Sequence, residues 1–359
     1  MSGLRDVDAA DLLGLTAALV DVPSVSHHEK PLADAIEGRL RRAHGLTVER
    51  IGANIVARTE RGRDRRIVLG GHLDTVPANG NDGARVDGDT LHGLGSADMK
   101  GGLAVMLRIA ELVSDNGGND DLTFVFYECE EVADEFNGLR HLFTERADLV
   151  AGDLAILMEP TANNVEAGCQ GTLHVTAHFA GERAHTARPW MGRNAIHRVA
   201  DVLARIADYE PETVAVDGLS FREALQVVRI EGGVANNVVP DACVLTVNRR
   251  FAPRYSIDEA YEQVAALLEG ADRIELVTAS PAGPPNLTDP VVAEFVASVG
   301  VPVGPKLGWT DVARFAGHGV PALNFGPGDP TIAHTAGEYV ERSSLDRAYS
   351  GLARFLGID

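Results

Sequence analysis

Three apolar runs in this chain each end on residues that bind metals or protons, and this repetition constrains the fold most. Arg66-Ile-Val-Leu-Gly-Gly runs into His72, with Asp74 two residues later. Leu122-Thr-Phe-Val-Phe-Tyr127 runs into Glu128-Cys129-Glu130-Glu131, and Asp153-Leu-Ala-Ile-Leu-Met158 into Glu159-Pro160. Short continuous apolar runs read as buried strands. Between the first two, Leu103, Met106, Leu107 and Ala110 recur at helical spacing after Gly101-Gly102, so a helix opens there. Strands alternating with helices predict an α/β fold with a mainly parallel sheet, helices covering both faces.

The strand ends carry the chemistry. Residues two apart on a strand point to the same side. The imidazole of His72 can therefore bind a metal while Asp74 holds its other nitrogen. A histidine in a tight turn beside an Asx-capped aspartate is the plainer alternative. Gly93-Leu-Gly95-Ser-Ala-Asp98 resembles a dinucleotide-binding loop, but a carboxylate in its last position repels a pyrophosphate. Asp98 can instead bridge two cations or cap the following helix. Glu130, Glu131 and Glu159 crowd the ends of apolar strands, where ionised groups are costly unless cations compensate them. His334 lies in a Gly- and Pro-rich loop with no apolar period around it. Two imidazoles and three carboxylates suit a pair of zinc ions that keep a position open for water. Zinc fingers, His-Glu-x-x-His helices and Gly-x-Ser-x-Gly elbows are all absent from the sequence.

The chain is 359 residues long, so two domains are expected. Its net charge of −20 repels nucleic acids and anionic membranes, and 5% aromatic residues are too few for a base-stacking platform. Three cysteines without a close pair read as free thiols in a reducing compartment. The N-terminus is acidic where a secretory signal is basic, and no apolar run reaches the length of a membrane span. These features predict a soluble, cytoplasmic protein.

Along the chain, Ala9 to Val20 reads as a helix that stops before Pro23. Ser26-His-His-Glu29 fits a capping box opening a second helix through about Arg42, a structural role preferred here to a catalytic one. The pattern changes after Gly171. Leu173 to Phe179 alternates like a half-exposed strand. A helix is expected from about Asn194 to Ala207, strands at Leu225–Ile230 and Ala242–Arg249, and a helix at Ile257–Leu268. Ser280-Pro-Ala-Gly-Pro-Pro-Asn286 reads as a return linker, and a final helix spans Leu345 to Leu356. The implied division is a catalytic domain of residues 1–171 and 283–359, with an inserted α+β domain of residues 172–282.

The ordered set Gly-His72-Leu-Asp74-Thr-Val-Pro, Gly95-Ser-Ala-Asp98-Met-Lys-Gly-Gly, Glu130-Glu131, Glu159-Pro160 and Ala333-His334 resembles a known family. It is the dinuclear-zinc amidohydrolase and exopeptidase family that includes aminoacylases, acetylornithine deacetylase, glutamate carboxypeptidases and succinyl-diaminopimelate desuccinylase. The resemblance implies that His72 and Glu159 bind one zinc, Glu131 and His334 the other, and Asp98 both, one ion being replaceable by Co2+ or Mn2+. It implies a cis peptide after Asp98, Glu130 as general base and Asp74 as support for His72. The inserted domain then corresponds to the family's lid, through which a homodimer forms. Ala184-His185-Thr-Ala-Arg188-Pro matches the lid motif, whose histidine reaches the partner's site and stabilises the oxyanion.

Substrate recognition follows from the same resemblance. It assigns Arg188, Asn236 and Arg250 to the substrate, with a strand-end salt bridge as the plain alternative for Arg250. Lys306-Leu-Gly-Trp309-Thr310-Asp311-Val-Ala-Arg314-Phe is similar to the substrate loop of desuccinylases from high-GC Gram-positive bacteria, which adds Trp309 and Thr310. With a net charge of −20, the chain needs local arginines for an anionic substrate; Arg188, Arg193, Arg250 and Arg314 are the candidates. The expected reaction is hydrolysis of the N-succinyl amide of N-succinyl-LL-diaminopimelate. The alternatives are another small N-acyl amino acid or dipeptide substrate, as in acetylornithine deacetylase, and a noncatalytic binding protein on the same fold.

Overall fold

The protein is described here by a computed structural model covering residue 4, residues 7–116 and residues 118–358. The chain forms two compact units, one of Met1–Ala167, Asn286–Gly304 and Arg314–Asp359, the other of Gly168–Pro285 and Pro305–Ala313. Residues 305–313, read from sequence as part of the larger domain, cluster with the second unit.

The first unit is built on a large sheet. Its strand order is Thr47–Ile51, Asn54–Arg58, Asp121–Tyr127, Arg66–His72, Leu154–Leu157, Ala322–Asn324, Val165–Cys169 and Val303–Lys306. The centre is parallel: Arg66–His72 pairs in parallel with Asp121–Tyr127 and with Leu154–Leu157, which pairs in parallel with Ala322–Asn324. Antiparallel ladders flank it. Every residue of Asp121–Tyr127 is buried, as its apolar run predicts. Parallel pairing puts the carboxyl ends of the central strands along one edge. His72 registers with Tyr127 and Gly70 with Leu157, so His72, Glu130 and Glu159 leave the sheet as neighbours. Open α/β sheets bind their ligands at that edge.

The helix Gly101–Asn116 opens where its spacing predicts. A side chain at Gly102 would sit 2.4 Å from the carbonyl oxygen of Met158, so only glycine lets the helix start this close to the strand end. Leu103, Met106 and Leu107 are fully buried, each contributing roughly 1.5–3 kcal/mol. The first helix is shorter than its apolar pattern suggests. It spans Leu12–Val20 because the side chain of Asp11 caps it by accepting from the Gly14 N–H. The predicted capping box at Ser26-Glu29 does not form. The next helix is Lys30–Leu40, with Pro31 in its first turn and no side-chain cap; Ser26 and Glu29 face elsewhere, as described below. No helix among the described residues is long and apolar enough to cross a membrane.

The second unit holds an antiparallel sheet in the order Ala224–Gly232, Ala242–Phe251, Gly171–Ala180 and Arg273–Ser280. Burial alternates along Gly171–Ala180, as the sequence period predicts. The buried face packs Val175, Phe179, Leu245 and Val247 against residues of the helices Ala200–Ala207 and Ile257–Leu267. The first of these begins later than expected. The Asn194 side chain accepts from the N–H groups of Ile196 and His197, forming a turn that delays the helix. The second begins with a complete capping box, Ser256 with Glu259. A hairpin of Thr213–Val216 and Leu219–Arg222 also lies in this unit and was not read from sequence.

Candidate metal centre

At the carboxyl edge of the first unit's sheet, the five predicted ligands converge in two overlapping groups. His72, Asp98 and Glu159 offer donor atoms within 4.8 Å of one another, and so do Asp98, Glu131 and His334. Asp98 belongs to both. Its Oδ1 lies 3.1 Å from His72 Nε2 and its Oδ2 lies 3.4 Å from His334 Nε2. One carboxylate thus turns one oxygen toward each histidine. Glu131 Oε1 is 2.7 Å from His334 Nε2. The Asp98–Met99 peptide is cis, as the resemblance implies.

The protonation chemistry shows what the cluster attracts. His72 Nδ1 lies 3.0 Å from the backbone oxygen of Asp74. A carbonyl only accepts, so Nδ1 carries a proton, and Nε2 faces the Asp98 carboxylate. Burial opposes charge on His72 most strongly, yet hydrogen bonds to Asp74 and Asp98 and the charge of Glu159 raise its pKa well above the ordinary value. Hydrogen bonds to Asp98 and then Glu131 raise His334 to about 10. Burial also works against ionised Asp98, but His334 and His72 hold its carboxyl below the usual range. Both imidazoles favour positive charge and the shared carboxylate stays ionised. The donor set fits two divalent cations: each position has one imidazole, one carboxylate of its own and one shared carboxylate, fewer than four protein ligands, which leaves room for water.

Asp74 does more than orient His72. Its Oδ1 lies 3.6 Å from His72 Nδ1, farther than its own backbone oxygen. The carboxylate instead accepts the N–H groups of Glu130 and Glu131, each at 3.0 Å, and the Ser26 hydroxyl at 2.7 Å. Glu130 itself groups with His72 and Glu131.

Sequence reasoning missed Glu338. It is almost fully buried and accepts the N–H groups of Gly95, Ala97 and Asp98 at 3.1, 2.9 and 3.0 Å. Burial chiefly raises its carboxyl above the usual value. It ties the loop bearing Asp98 to the segment bearing His334, four residues upstream. The only local signal was an acidic residue after small residues in Thr335-Ala-Gly-Glu338. A further group, Glu29, Glu128 and Cys129, also lies within 4.8 Å. Its oxygens serve the fold: Glu128 Oε1 accepts from Ala53 N and Asn54 Nδ2, and Glu29 Oε1 from Cys129.

The remaining candidates lie in the second unit. His185 is exposed, and its Nδ1 accepts the Ala187 N–H at 3.0 Å. Nε2 therefore carries the proton and is a donor. Arg188 and Asn236 are exposed. Arg250 is half-buried, and burial alone depresses its guanidinium pKa, with no carboxylate acting on it; the salt bridge allowed by sequence is not formed. Trp309 donates Nε1–H to the Pro281 oxygen at 3.1 Å. Thr310 is buried, and its hydroxyl has no hydrogen-bond partner among the described residues. Arg314, in the first unit, pairs through one nitrogen with Asp134 at 2.5 Å.

Known proteins resemble this chain over nearly its whole length. The chain is 46% identical over 349 residues to a putative succinyl-diaminopimelate desuccinylase of Mycobacterium tuberculosis, covering 97% of this chain and 98% of that one. It is 46% identical over 340 residues to the succinyl-diaminopimelate desuccinylase of Corynebacterium glutamicum, covering 91% and 92%. Among solved structures, aminopeptidase PepT of Bacillus cereus superposes with a TM-score of 0.81 at 19% identity, covering 98% and 99%. The YXEP protein of Bacillus subtilis, a dinuclear metal binding peptidase, superposes with 0.71 at 15% identity, covering 98% of each chain. Residues 68–357 match one family along their whole length, and the chain belongs to peptidase family M20/M25/M40.

Proposed function

We propose that this chain is a zinc-dependent amidohydrolase that cleaves N-succinyl-LL-diaminopimelate to succinate and LL-diaminopimelate. The observation that carries the chemistry is the Asp98 carboxylate with one oxygen toward each histidine. The substrate is the one named for two relatives at 46% identity. His72 and Glu159 would hold one ion, Glu131 and His334 the second, and Asp98 both. Bound zinc lowers the pKa of a water ligand to about 7 and polarises the amide carbonyl.

The chain's own residues then supply proton transfer and orientation. Glu130 takes a proton from the attacking water, whose oxygen bonds to the amide carbon. It passes that proton to the amine nitrogen as the carbon–nitrogen bond breaks. His185 donates its Nε2–H to the developing oxyanion; loss of one such donor typically costs roughly a hundred-fold in rate. In this reading the lid domain of residues 172–282 carries His185 to the partner of a homodimer. Arg188, Asn236, Arg250, Trp309 and Thr310 recognise the substrate, and Arg250 offers a charge with no carboxylate paired to it among the described residues. The free, buried cysteines suit a reducing cytoplasm.

The test compares turnover of N-succinyl-LL-diaminopimelate and N-acetylornithine by one preparation of known zinc content. The expected result is strong preference for the succinyl substrate, and loss of activity in Glu130→Gln with zinc retained. Preference for the acetyl substrate would move the chain to the deacetylase reading. Undiminished turnover by Glu130→Gln would remove the assigned base.

A further inference from the structure

The segment Ser24–Glu29 is sewn into the active edge from two sides. On one side it follows the end of the His72 strand. Ser24 Oγ donates to the Leu73 oxygen at 2.8 Å and Thr75 N to the Ser24 oxygen at 3.0 Å. Ser26 N donates to the Thr75 oxygen at 3.2 Å, and Ser26 Oγ to Asp74 Oδ2 at 2.7 Å. On the other side stands Glu29, 2% exposed. Its Oε1 accepts the His27 N–H at 2.9 Å, the Cys129 N–H at 3.2 Å and the Cys129 thiol at 3.2 Å.

Three successive amides are therefore held by two buried carboxylates: Cys129 by Glu29, and Glu130 and Glu131 by Asp74. The direction of an amide N–H is rigidly tied to its peptide plane; Asp74 holds the two planes that flank Glu130, and Glu29 holds the plane before them, across Cys129. Cys129 has φ of 58°, a left-handed conformation that a non-glycine residue keeps only when its surroundings hold it there. Glu29 supplies that hold. Displacing a reacting group by about 1 Å can cost on the order of a hundred-fold in rate.

We infer that Glu29 is a positioning residue for the general base: it fixes the Cys129 amide and so aims Glu130, working in parallel with Asp74. The inference rests on the reading of Glu130 as base. Every bond that Glu29 makes to this tip goes through one oxygen, Oε1. An amide oxygen in the same place should therefore serve, while a carboxylate one methylene shorter should not reach.

The experiment compares Glu29→Gln, Glu29→Asp and Glu29→Ala with wild type and Glu130→Gln. Melting temperature, metal ions bound per chain, kcat and KM are measured on folded protein. Glu29→Asp and Glu29→Ala should lower kcat by about 30–100-fold, leave KM within roughly three-fold and keep both ions, while Glu29→Gln should recover kcat to within about five-fold of wild type. If Glu29→Ala does not fold, the Gln and Asp variants decide. Wild-type kcat in folded Glu29→Asp would overturn the inference, as would Glu29→Gln failing as badly as Glu29→Asp. Undiminished turnover in Glu130→Gln would instead sink the base assignment, a separate outcome.

Discussion

Each unit buries ionisable side chains, and the two solve the problem in opposite ways. In the second unit Glu223 and Arg249, 1% and 2% exposed, face each other at 2.6 Å. Tyr209 and Gln263 accept from the same guanidinium, and Glu223 also takes the Ala252 N–H. Charge meets charge, although the guanidinium Nε stays buried with no hydrogen-bond partner among the described residues. In the first unit Asp98, Glu131 and Glu159 converge on two imidazoles, three carboxylates against two histidines. A buried carboxylate paired with a guanidinium is compensated within the chain, whereas carboxylates gathered with imidazoles suit a cation.

The sharpest way to break this contrast is to remove the shared carboxylate. Asp98→Asn should lower kcat/KM by about a thousand-fold or more, since metal-ion catalysis supplies several kcal/mol. Metal analysis of the same sample should show fewer than two ions per chain. A fully active Asp98→Asn, or full activity after exhaustive chelation, would end the dinuclear assignment.

The opposite result is expected at the Glu223–Arg249 pair. Glu223→Ala strands a buried guanidinium and should cost about 3–5 kcal/mol of stability by denaturant unfolding. The activity of the remaining folded protein should be unchanged. The double change Glu223→Leu with Arg249→Met should recover most of that loss, because replacing both partners leaves no charge uncompensated.

The smallest of these effects compares neighbours on one strand. Arg249 and Arg250 point to opposite faces of the sheet; the first is paired and the second has no carboxylate acting on it. Arg250→Ala should leave stability nearly unchanged and raise KM by roughly ten- to a hundred-fold, the worth of a hydrogen bond to a charged group. An unchanged KM would take Arg250 out of the substrate site.

The central strands, the helix after Gly101-Gly102 and the alternating strand of the second unit were all legible in the chain. So was the ligand set, because each donor follows a recognisable apolar run or glycine loop. Three features were not. Ser26 and Glu29 have capping-box spacing, yet their side chains bond to Asp74 and Cys129, 48 and 100 residues away. Glu338 looked like one more acidic loop residue, and its three backbone donors lie more than 200 residues earlier. Arg249 and Arg250 are the same residue type side by side, and only the pairing of their strand shows which faces the core.

What local sequence determined was where strands end and which metal-binding side chains stand there, because burial pattern and turn chemistry act over a few residues. What tertiary structure alone decided was which carboxylates are already answered. A carboxylate's role depends on the donors that folding brings within about 3 Å of it, and those donors come from distant parts of the chain. Glu29 thus became an anchor for the tip that bears Glu130, Glu338 a clasp on the Asp98 loop, and Glu223 half of a buried ion pair, while Asp98 was left facing two histidines.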